Sequence, residues 1–374
     1  MHKVLEVELS KKNILSLIEK IDINNSKILN VNIFGNELLF DIETNNPTLQ
    51  SKKHIENNIK DILKENFSSD VTSKFNFIIK KEDAPEKTIT GSEIPGIKNV
   101  LAIASGKGGV GKSTITSNIA ITLSNMGFKV GILDADIYGP SIPIMFDIAD
   151  ARPLSENHEG KNKMKPVESY GIKILSIGFF TKPDQAVIWR GPMASKALNQ
   201  MIFDAHWGEL DFLLVDLPPG TGDIHLSILQ SLPVTGSVII STPQNIAIAD
   251  ARKGIAMFNQ KTISVPVLGL VENMAYFTPQ ELPENKYYIF GKDGARNLAE
   301  DMKVPFLGEI PLIQSIREAS DFGHPASLQK ESKISLTFIE ITKNLIVELV
   351  KRNKNMPPSE VVKITTMAGC SAVK

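Results

Sequence analysis

From residue 99 onward, short apolar segments alternate with stretches in which apolar residues recur at helical spacing. We expect strands at 99–104, 129–134, 172–177, 211–216, 236–241, 266–271 and 304–309. Continuous apolar strands that alternate with helices are typical of a mostly parallel sheet covered by helices on both faces. The pattern therefore predicts an α/β domain with its ligand site at the carboxyl ends of the strands.

Residues 1–80 have a different pattern. The predicted elements are strands at 28–33 and 37–42, a helix at 47–65 and a strand at 71–79. This order predicts a small α+β domain, and no catalytic constellation is found in it.

Three further segments complete the predicted organisation. Residues 81–97 are polar, charged and broken by two prolines, which indicates a linker. The α/β domain then covers 98–351, and 352–374 form a flexible tail. The last helix of the α/β domain, 335–351, either packs on the sheet or lies on a membrane surface, and packing on the sheet is the more common arrangement.

Composition narrows the classes of partner. The chain has 374 residues, with 41 Lys and Arg against 42 Asp and Glu. It therefore has no net positive charge that would attract the phosphates of a nucleic acid. No apolar run resembles a signal peptide or a membrane span. Cys370 is the single cysteine, which excludes an intrachain disulfide and fits a reducing compartment. We expect a cytoplasmic protein without nucleic-acid or membrane partners.

A glycine-rich loop lies between the strand at 99–104 and a helix predicted at 113–126. Gly106, four intervening residues, and Gly111-Lys112-Ser113 fit the phosphate-loop pattern. In such a loop, backbone N–H groups and the helix N-terminus surround phosphate oxygens. Lys112 would reach the β- and γ-phosphates, and the Ser113 hydroxyl would bind Mg²⁺. A chance glycine-rich turn is the alternative, but it would not need this strand–loop–helix register.

Carboxylates follow two of the predicted strands. Asp134 and Asp136 come at the end of 129–134, and Asp216 ends 211–216. We expect Asp136 to orient the attacking water, Asp134 to support the metal shell and Asp216 to hold Mg²⁺. The alternative for the first pair is an aspartate that caps a turn.

Three more features could respond to the nucleotide. Residues 217–223, LPPGTGD, follow Asp216 and could order around a γ-phosphate, although their prolines could equally be turn residues. Asn273 and Asn245 follow later strands, and an amide presents both the donor and the acceptor that an adenine edge requires. Strand-end turn residues are the alternative for both, and Asn273 is the stronger candidate.

The second lysine of the loop, Lys107, makes it resemble the deviant phosphate loop of the ParA, MinD and nitrogenase-iron-protein class. The resemblance implies a dimer in which Lys107 reaches the partner's nucleotide, following the logic of an arginine finger. A solvated lysine is the alternative. The residues then predicted to bind ATP are Gly106, Lys107, Gly108, Gly109, Val110, Gly111, Lys112, Ser113, Thr114 and Asn273, and the predicted catalytic residues are Lys107, Lys112 and Asp136.

Longer motifs make the chain similar to the Mrp/ApbC family of iron–sulfur cluster carrier ATPases over nearly all of 99–330. The motifs are the loop at 106–113, DADIYGPS at 134–141, WRGPMAS at 189–195, WGELDFLLVDLPPGTGD at 207–223, STPQ at 241–244, ENMAYF at 272–277, YYIFG at 287–291 and the stretch at 310–325. This resemblance implies a P-loop NTPase fold, slow Mg²⁺-dependent ATP hydrolysis, a homodimer, a carried iron–sulfur cluster, and apo client proteins or assembly factors as partners.

The carrier site departs from that family. Its members typically have Cys-x-x-Cys shortly after the ENMxYF motif, whereas 278–283 here contain no cysteine. Clusters are ordinarily held by four thiolates. Cys370 of two protomers could supply two of them, or Cys370 could be a spectator. Three functions stay open: a cluster carrier ATPase, an ATP-gated adaptor that holds no cluster, and a positioning ATPase of the MinD or ParA kind.

Overall fold

A computed structural model describes residues 10–18, 23, 26–44, 49–67, 71–79, 94–158, 160–180, 191–279, 281–329 and 332–359. The chain divides into two compact units, Met1–Thr88 and Ile89–Lys374. Each unit has its own sheet and its own hydrophobic core. The domain limits given above stay predictions.

The first unit is a three-stranded sheet with two helices. Its elements are α1 (Lys11–Ile18), β1 (Lys27–Phe34), β2 (Glu37–Thr44), α2 (Leu49–Asn66) and β3 (Thr72–Ile79). β1 and β2 form an antiparallel hairpin, and β3 lies parallel to β2. Alternate residues of β2, such as Phe40, are fully buried in one cluster with Ile14 of α1 and Ile59 of α2. The sequence missed α1, whose two buried isoleucines are too few to show a helical period.

The second unit begins at the phosphate-loop strand. Its elements are β4 (Ile97–Ser105), α3 (Lys112–Asn125), β5 (Val130–Asp134), α4 (Ile142–Met145), β6 (Leu154–His158), β7 (Lys161–Lys165), β8 (Val167–Ser169), β9 (Ile172–Ser176), α5 (Gly191–Phe203), β10 (Leu210–Asp216), α6 (Asp223–Ser231), β11 (Gly236–Ser241), α7 (Asn245–Phe258), β12 (Val267–Asn273), α8 (Gly294–Met302), β13 (Phe306–Ile310), α9 (Gln314–Asp321) and α10 (Lys333–Asn355).

Eight of these strands form one sheet, in the order β13-β12-β11-β4-β10-β5-β9-β8. Every pair is parallel except β8–β9, which is antiparallel. All seven strands predicted from apolar segments are present, with ends that differ from the predicted ones by at most two residues. The strand that carries the phosphate loop, β4, lies between β10 and β11, so this crossover point is where a ligand of such a sheet binds.

Helices cover both faces of this sheet. Val100 and Ala102 of β4 belong to one buried cluster with residues of α5, α6, α7 and α8. The alternate residues Leu101 and Ile103 belong to a second cluster with residues of α3 and α10. Because both sides of each central strand are buried, the strands read as continuous apolar runs, and the predicted α/β class is confirmed.

A second antiparallel hairpin, β6–β7, was not predicted from the sequence. Its residues are largely exposed and polar, so they lack the apolar signal of a buried strand. The Met164 N–H donates to the Asp204 carbonyl at 2.7 Å, and the His206 N–H donates to the Met164 carbonyl at 2.8 Å. These bonds attach the hairpin to the segment between α5 and β10.

The last helix packs on the sheet. Phe338, Ile341 and Leu345 of α10 are buried in the same cluster as β13 residues. The helix runs to Asn355, so the first residues of the predicted tail are helical, and 360–374 lie outside the described residues. Among the described helices, none is both long and apolar enough to cross a membrane.

We predict that Phe338→Ala lowers the free energy of unfolding by about 3–5 kcal/mol, because it empties a fully buried position. Leu336 lies on the same helix but is 55% exposed, so Leu336→Ala is the matched control. Its cost should be about 0.5 kcal/mol or less. Urea unfolding of both variants measures the difference. Equal costs would contradict the packing of α10 on the sheet.

Candidate nucleotide-binding site

The phosphate loop lies between the end of β4 and the start of α3. Gly109 and Gly111 have φ of 78° and 84°, the left-handed conformation that glycine adopts without strain. Gly106 packs against α7, since a Cβ on it would lie 2.2 Å from the backbone carbonyl carbon of Asp250. Glycine is therefore required at 109 and 111 by the positive φ of the backbone, and at 106 by the close approach of α7.

Lys112 and Asp216 form a buried ion pair at the centre of the site. Lys112 is the first residue of α3, and Asp216 is the last residue of β10. The Lys112 Nζ lies 2.7 Å from Asp216 Oδ2 and 3.5 Å from Asp136 Oδ2. The structure thus brings together three residues that the sequence predicted separately.

Two hydroxyls complete the shell around Asp216. Ser113 Oγ donates to Asp216 Oδ2 at 2.5 Å, and Thr116 Oγ1 donates to Asp216 Oδ1 at 2.7 Å. Thr116 was missed in the sequence. Its position four residues after Lys112, on the same side of α3, is the signal that could have found it.

Asp134 lies beside Asp216 because β5 pairs with β10 in register at these two residues. Its Oδ2 accepts from Ser176 Oγ at 2.8 Å and from the Ile142 N–H at 3.4 Å. Its Oδ1 accepts from the Asp136 N–H at 3.2 Å. Protein groups thus donate to both oxygens of Asp134, and its support of a metal shell stays a prediction.

Asp136 organises a turn beside the phosphate loop, and its role in orienting a water stays a prediction. Its Oδ1 accepts from the backbone N–H groups of Tyr138 and Gly139 at 3.2 and 3.3 Å, as an aspartate that organises a turn does. Its Oδ2 faces Lys112. The turn fixes the carboxylate while one of its oxygens points toward the phosphate loop.

The charges of the site are unbalanced. Burial, together with the negative charge of Asp216, raises the pKa of Asp134 to about 7. Burial also raises the pKa of Asp136, although Lys112 opposes the shift. For Lys112, burial disfavours the ammonium, but the nearby carboxylates, Asp216 foremost, outweigh it and raise the pKa. Asp216 and Asp136 pair with the Lys112 ammonium and Asp134 lies beside Asp216, so the cluster has more carboxylates than cations and favours an additional cation.

The LPPGTGD segment starts directly after Asp216 and lies against the phosphate loop. The Leu217 N–H donates to the Ile103 carbonyl at 3.0 Å, and the Gly220 N–H donates to the Ser105 carbonyl at 2.9 Å. His225, at the start of α6, is buried, and its Nε2 lies 2.8 Å from the Pro218 carbonyl oxygen. His225 was not predicted from the sequence, because no spacing rule places it over Pro218.

The two asparagines differ in position. Asn273, the last residue of β12, is buried, and its Nδ2 donates to the Val110 carbonyl at 2.9 Å. This bond attaches β12 to the phosphate loop. Asn245 is exposed at the start of α7. A role for either amide in reading a base stays a prediction.

The other predicted residues lie on the exposed part of the phosphate loop, at the start of α3, or outside the described residues. Lys107 is exposed on the phosphate loop, and its amine makes no hydrogen bond or ion pair with the part of the chain that the structure describes. Gly108 is also exposed, and Thr114 lies in the first turn of α3. Cys370 and the first two residues of the WRGPMAS motif lie outside the described residues.

The donor set fits magnesium. Ser113 Oγ and the Asp216 carboxylate are adjacent hard oxygen ligands at the start of a phosphate loop, which is the chemistry that Mg²⁺ prefers. Among the described residues, no group of three or more His, Cys, Asp and Glu side chains is arranged to hold a metal ion by itself. The site is therefore suited to a cation that arrives with phosphate oxygens as further ligands.

Comparison with known proteins agrees with this geometry. A family model for the NUBPL iron-transfer P-loop NTPase matches residues 96–346. An iron–sulfur cluster carrier protein from Aquifex aeolicus is 45% identical over 259 residues, which are 68% of this chain and 69% of that protein. The iron–sulfur cluster transfer protein NUBPL from Dictyostelium discoideum is 45% identical over 280 residues, 73% of this chain and 84% of that protein.

Among solved structures, a nucleotide-binding protein from Archaeoglobus fulgidus in complex with ADP has a similar fold. It superimposes with a TM-score of 0.56 at 36% sequence identity, covering 66% of this chain and 94% of that one.

Proposed function

Because the chain belongs to the NUBPL iron-transfer P-loop NTPase family, we propose that it is an ATPase that carries or assembles iron–sulfur clusters. In this function, slow Mg²⁺-dependent ATP hydrolysis controls the release of a cluster to apo client proteins or assembly factors in the cytoplasm. The observation that carries the nucleotide part is the cluster of buried Lys112 and Asp216 with half-buried Ser113, next to a loop with two left-handed glycines. The relatives named as cluster carriers and transfer proteins support the cargo.

ATP binding follows from the loop. The glycines leave backbone N–H groups free to face phosphate oxygens, and the start of α3 adds the positive end of its dipole. Lys112 supplies a full positive charge to the β- and γ-phosphates. Ser113 and Asp216 would hold Mg²⁺, which neutralises phosphate charge when it is bound. Asp134 and Thr116 keep Asp216 in place through strand register and a hydrogen bond.

Hydrolysis needs a positioned water more than covalent chemistry. Asp136 is our candidate for this task, since its turn holds the carboxylate and one oxygen faces the Lys112 ammonium. A raised pKa keeps this carboxylate closer to the range in which it can accept a proton from water.

A homodimer would complete the site. Lys107 is exposed and has no partner in the described residues, so its charge is available to a nucleotide on another protomer. Large apolar side chains are exposed at the same edge of the sheet, among them Tyr138 at 73% and Ile246 at 69%. Exposed apolar groups around a charged site are typical of an interface.

Cargo chemistry is limited by cysteine. With one Cys370 per chain, a dimer supplies two thiolates, and a four-thiolate cluster takes its other ligands from a client or a small thiol. The same count favours a second candidate function, an ATP-gated adaptor that binds assembly proteins without holding a cluster. The two candidates differ in whether the purified dimer retains iron.

Lys112→Ala should reduce Mg²⁺-dependent ATP turnover by at least about a hundredfold, because it removes the buried cation of the site. Phosphate release under reducing conditions measures this. Lys98→Ala is the control, since Lys98 pairs with Asp211 on an exposed part of the sheet and should leave turnover unchanged. Lys112→Gln, which is close to lysine in length and keeps an N–H donor for Asp216, serves as a second variant if the alanine variant does not fold. Normal turnover in a folded Lys112 variant would refute the site.

Anaerobic reconstitution of the wild-type dimer with iron and sulfide should give visible absorbance and stoichiometric bound iron, both of which Cys370→Ser removes. Ser371→Ala, at the neighbouring position, is the control and should retain both signals. A wild-type dimer without iron that still captures assembly proteins in the presence of ATP would contradict the carrier role and favour the adaptor.

A further inference from the structure

Two adjacent prolines leave the segment after Asp216 with few backbone hydrogen-bond donors that could hold it in place. Pro218 and Pro219 have no backbone N–H, so between Leu217 and Gly220 the main chain has no donor to offer. The N–H groups of Leu217 and Gly220 are both bonded to carbonyls at the end of β4. The segment is thus attached to the sheet at its two ends, while its middle depends on its carbonyl oxygens.

The side chain of His225 contacts this middle part. It is 1% exposed, and its Nε2 lies 2.8 Å from the Pro218 carbonyl oxygen. Because a carbonyl oxygen only accepts, Nε2 carries the proton and donates it. The backbone N–H of His225 also donates to the Gly222 carbonyl at 3.0 Å, so one residue holds two points of the LPPGTGD segment.

The imidazole can do this without adding charge to the site. Burial lowers the pKa of His225, while its hydrogen bonds to the backbone carbonyls of Pro218 and Gly222 oppose the shift and the Lys112 ammonium adds to it. The net direction is downward, so the neutral form is favoured. A neutral imidazole is a rigid donor that leaves the balance between Lys112 and the carboxylates undisturbed.

The segment it holds touches the phosphate loop. A Cβ on Gly108 would lie 3.9 Å from the Pro219 side chain, at ordinary contact distance. A shift of Pro218 would therefore move its neighbour Pro219 relative to Gly108, and it would also pull on the chain that leads back to Asp216. The hydrogen bond from His225 attaches the segment to α6 and opposes such a shift.

We propose that His225 is a positioning residue for the ATP reaction: its Nε2–H bond to the Pro218 carbonyl sets the place of the 217–222 segment against the phosphate loop. The proposal rests on the proposed ATPase function. The hydrogen bond between His225 and Pro218, which we call the clamp, is nevertheless a property of the nucleotide-free chain. His225 acts through Pro218 and Pro219 and not by contact with the nucleotide.

The test uses the full chain with three substitutions. His225→Leu fills the space but has no donor, and His225→Gln returns an N–H near the position of Nε2. Asn344→Leu is the matched control, because it removes a side-chain donor to the Leu307 carbonyl, at 2.8 Å, on the α10 side of the sheet. Residue-resolved amide hydrogen exchange without nucleotide and steady-state ATP turnover are measured for all of them.

We expect His225→Leu to speed exchange at the Leu217 and Gly220 amides by roughly tenfold and to lower kcat by a similar factor, the scale of one buried hydrogen bond. KM for ATP should stay within about twofold, since the phosphate loop itself is intact. His225→Gln should restore both rates, and Asn344→Leu should change neither.

Unchanged exchange at the two amides in His225→Leu would overturn the clamp, and so would a failure of His225→Gln to restore it. Faster exchange with unchanged kcat would show a clamp without a role in the reaction and would overturn the positioning proposal. A wild-type chain without ATP turnover would instead contradict the proposed function, and the exchange rates would still decide whether His225 holds the segment.

Discussion

The ion pair between Lys112 and Asp216 is the contact on which the site depends. It joins the start of α3 to the end of β10, and it is almost completely removed from water. A buried pair of this kind is costly to desolvate and stabilises the fold only when its remaining hydrogen-bonding capacity is used. Ser113 and Thr116 use it, since each hydroxyl donates to one oxygen of Asp216.

The same arrangement explains why the site is poised for a ligand. Parallel pairing of β5, β10 and β4 places Asp134, Asp216 and the phosphate loop at one edge of the sheet. Two of the three carboxylates pair with the Lys112 ammonium, and burial raises the pKa of Asp134 and Asp136. Binding of a magnesium-bound triphosphate would give the carboxylates a second cation and the ammonium a second anion. The ligand would therefore compensate the excess of negative charge in the site.

The sheet was predictable because both of its faces are buried. A strand such as β10 is then a continuous apolar run with a carboxylate at its tip, a signal that needs no knowledge of its neighbours. The hairpin β6–β7 was not predictable, since it is exposed and its residues are largely polar. The site follows the same division: Lys112 and Asp216 belong to motifs with fixed spacing, whereas His225 meets Pro218 only because α6 turns back over the segment before it.

Calorimetric titration of the reduced wild-type chain with MgATP tests the nucleotide site most directly. We expect saturable binding of one nucleotide per chain, with a shift of the protein from monomer to dimer in parallel sedimentation runs. Absence of heat from MgATP in a folded protein would contradict the nucleotide site, and with it the dimer, the hydrolysis and the control of cluster release.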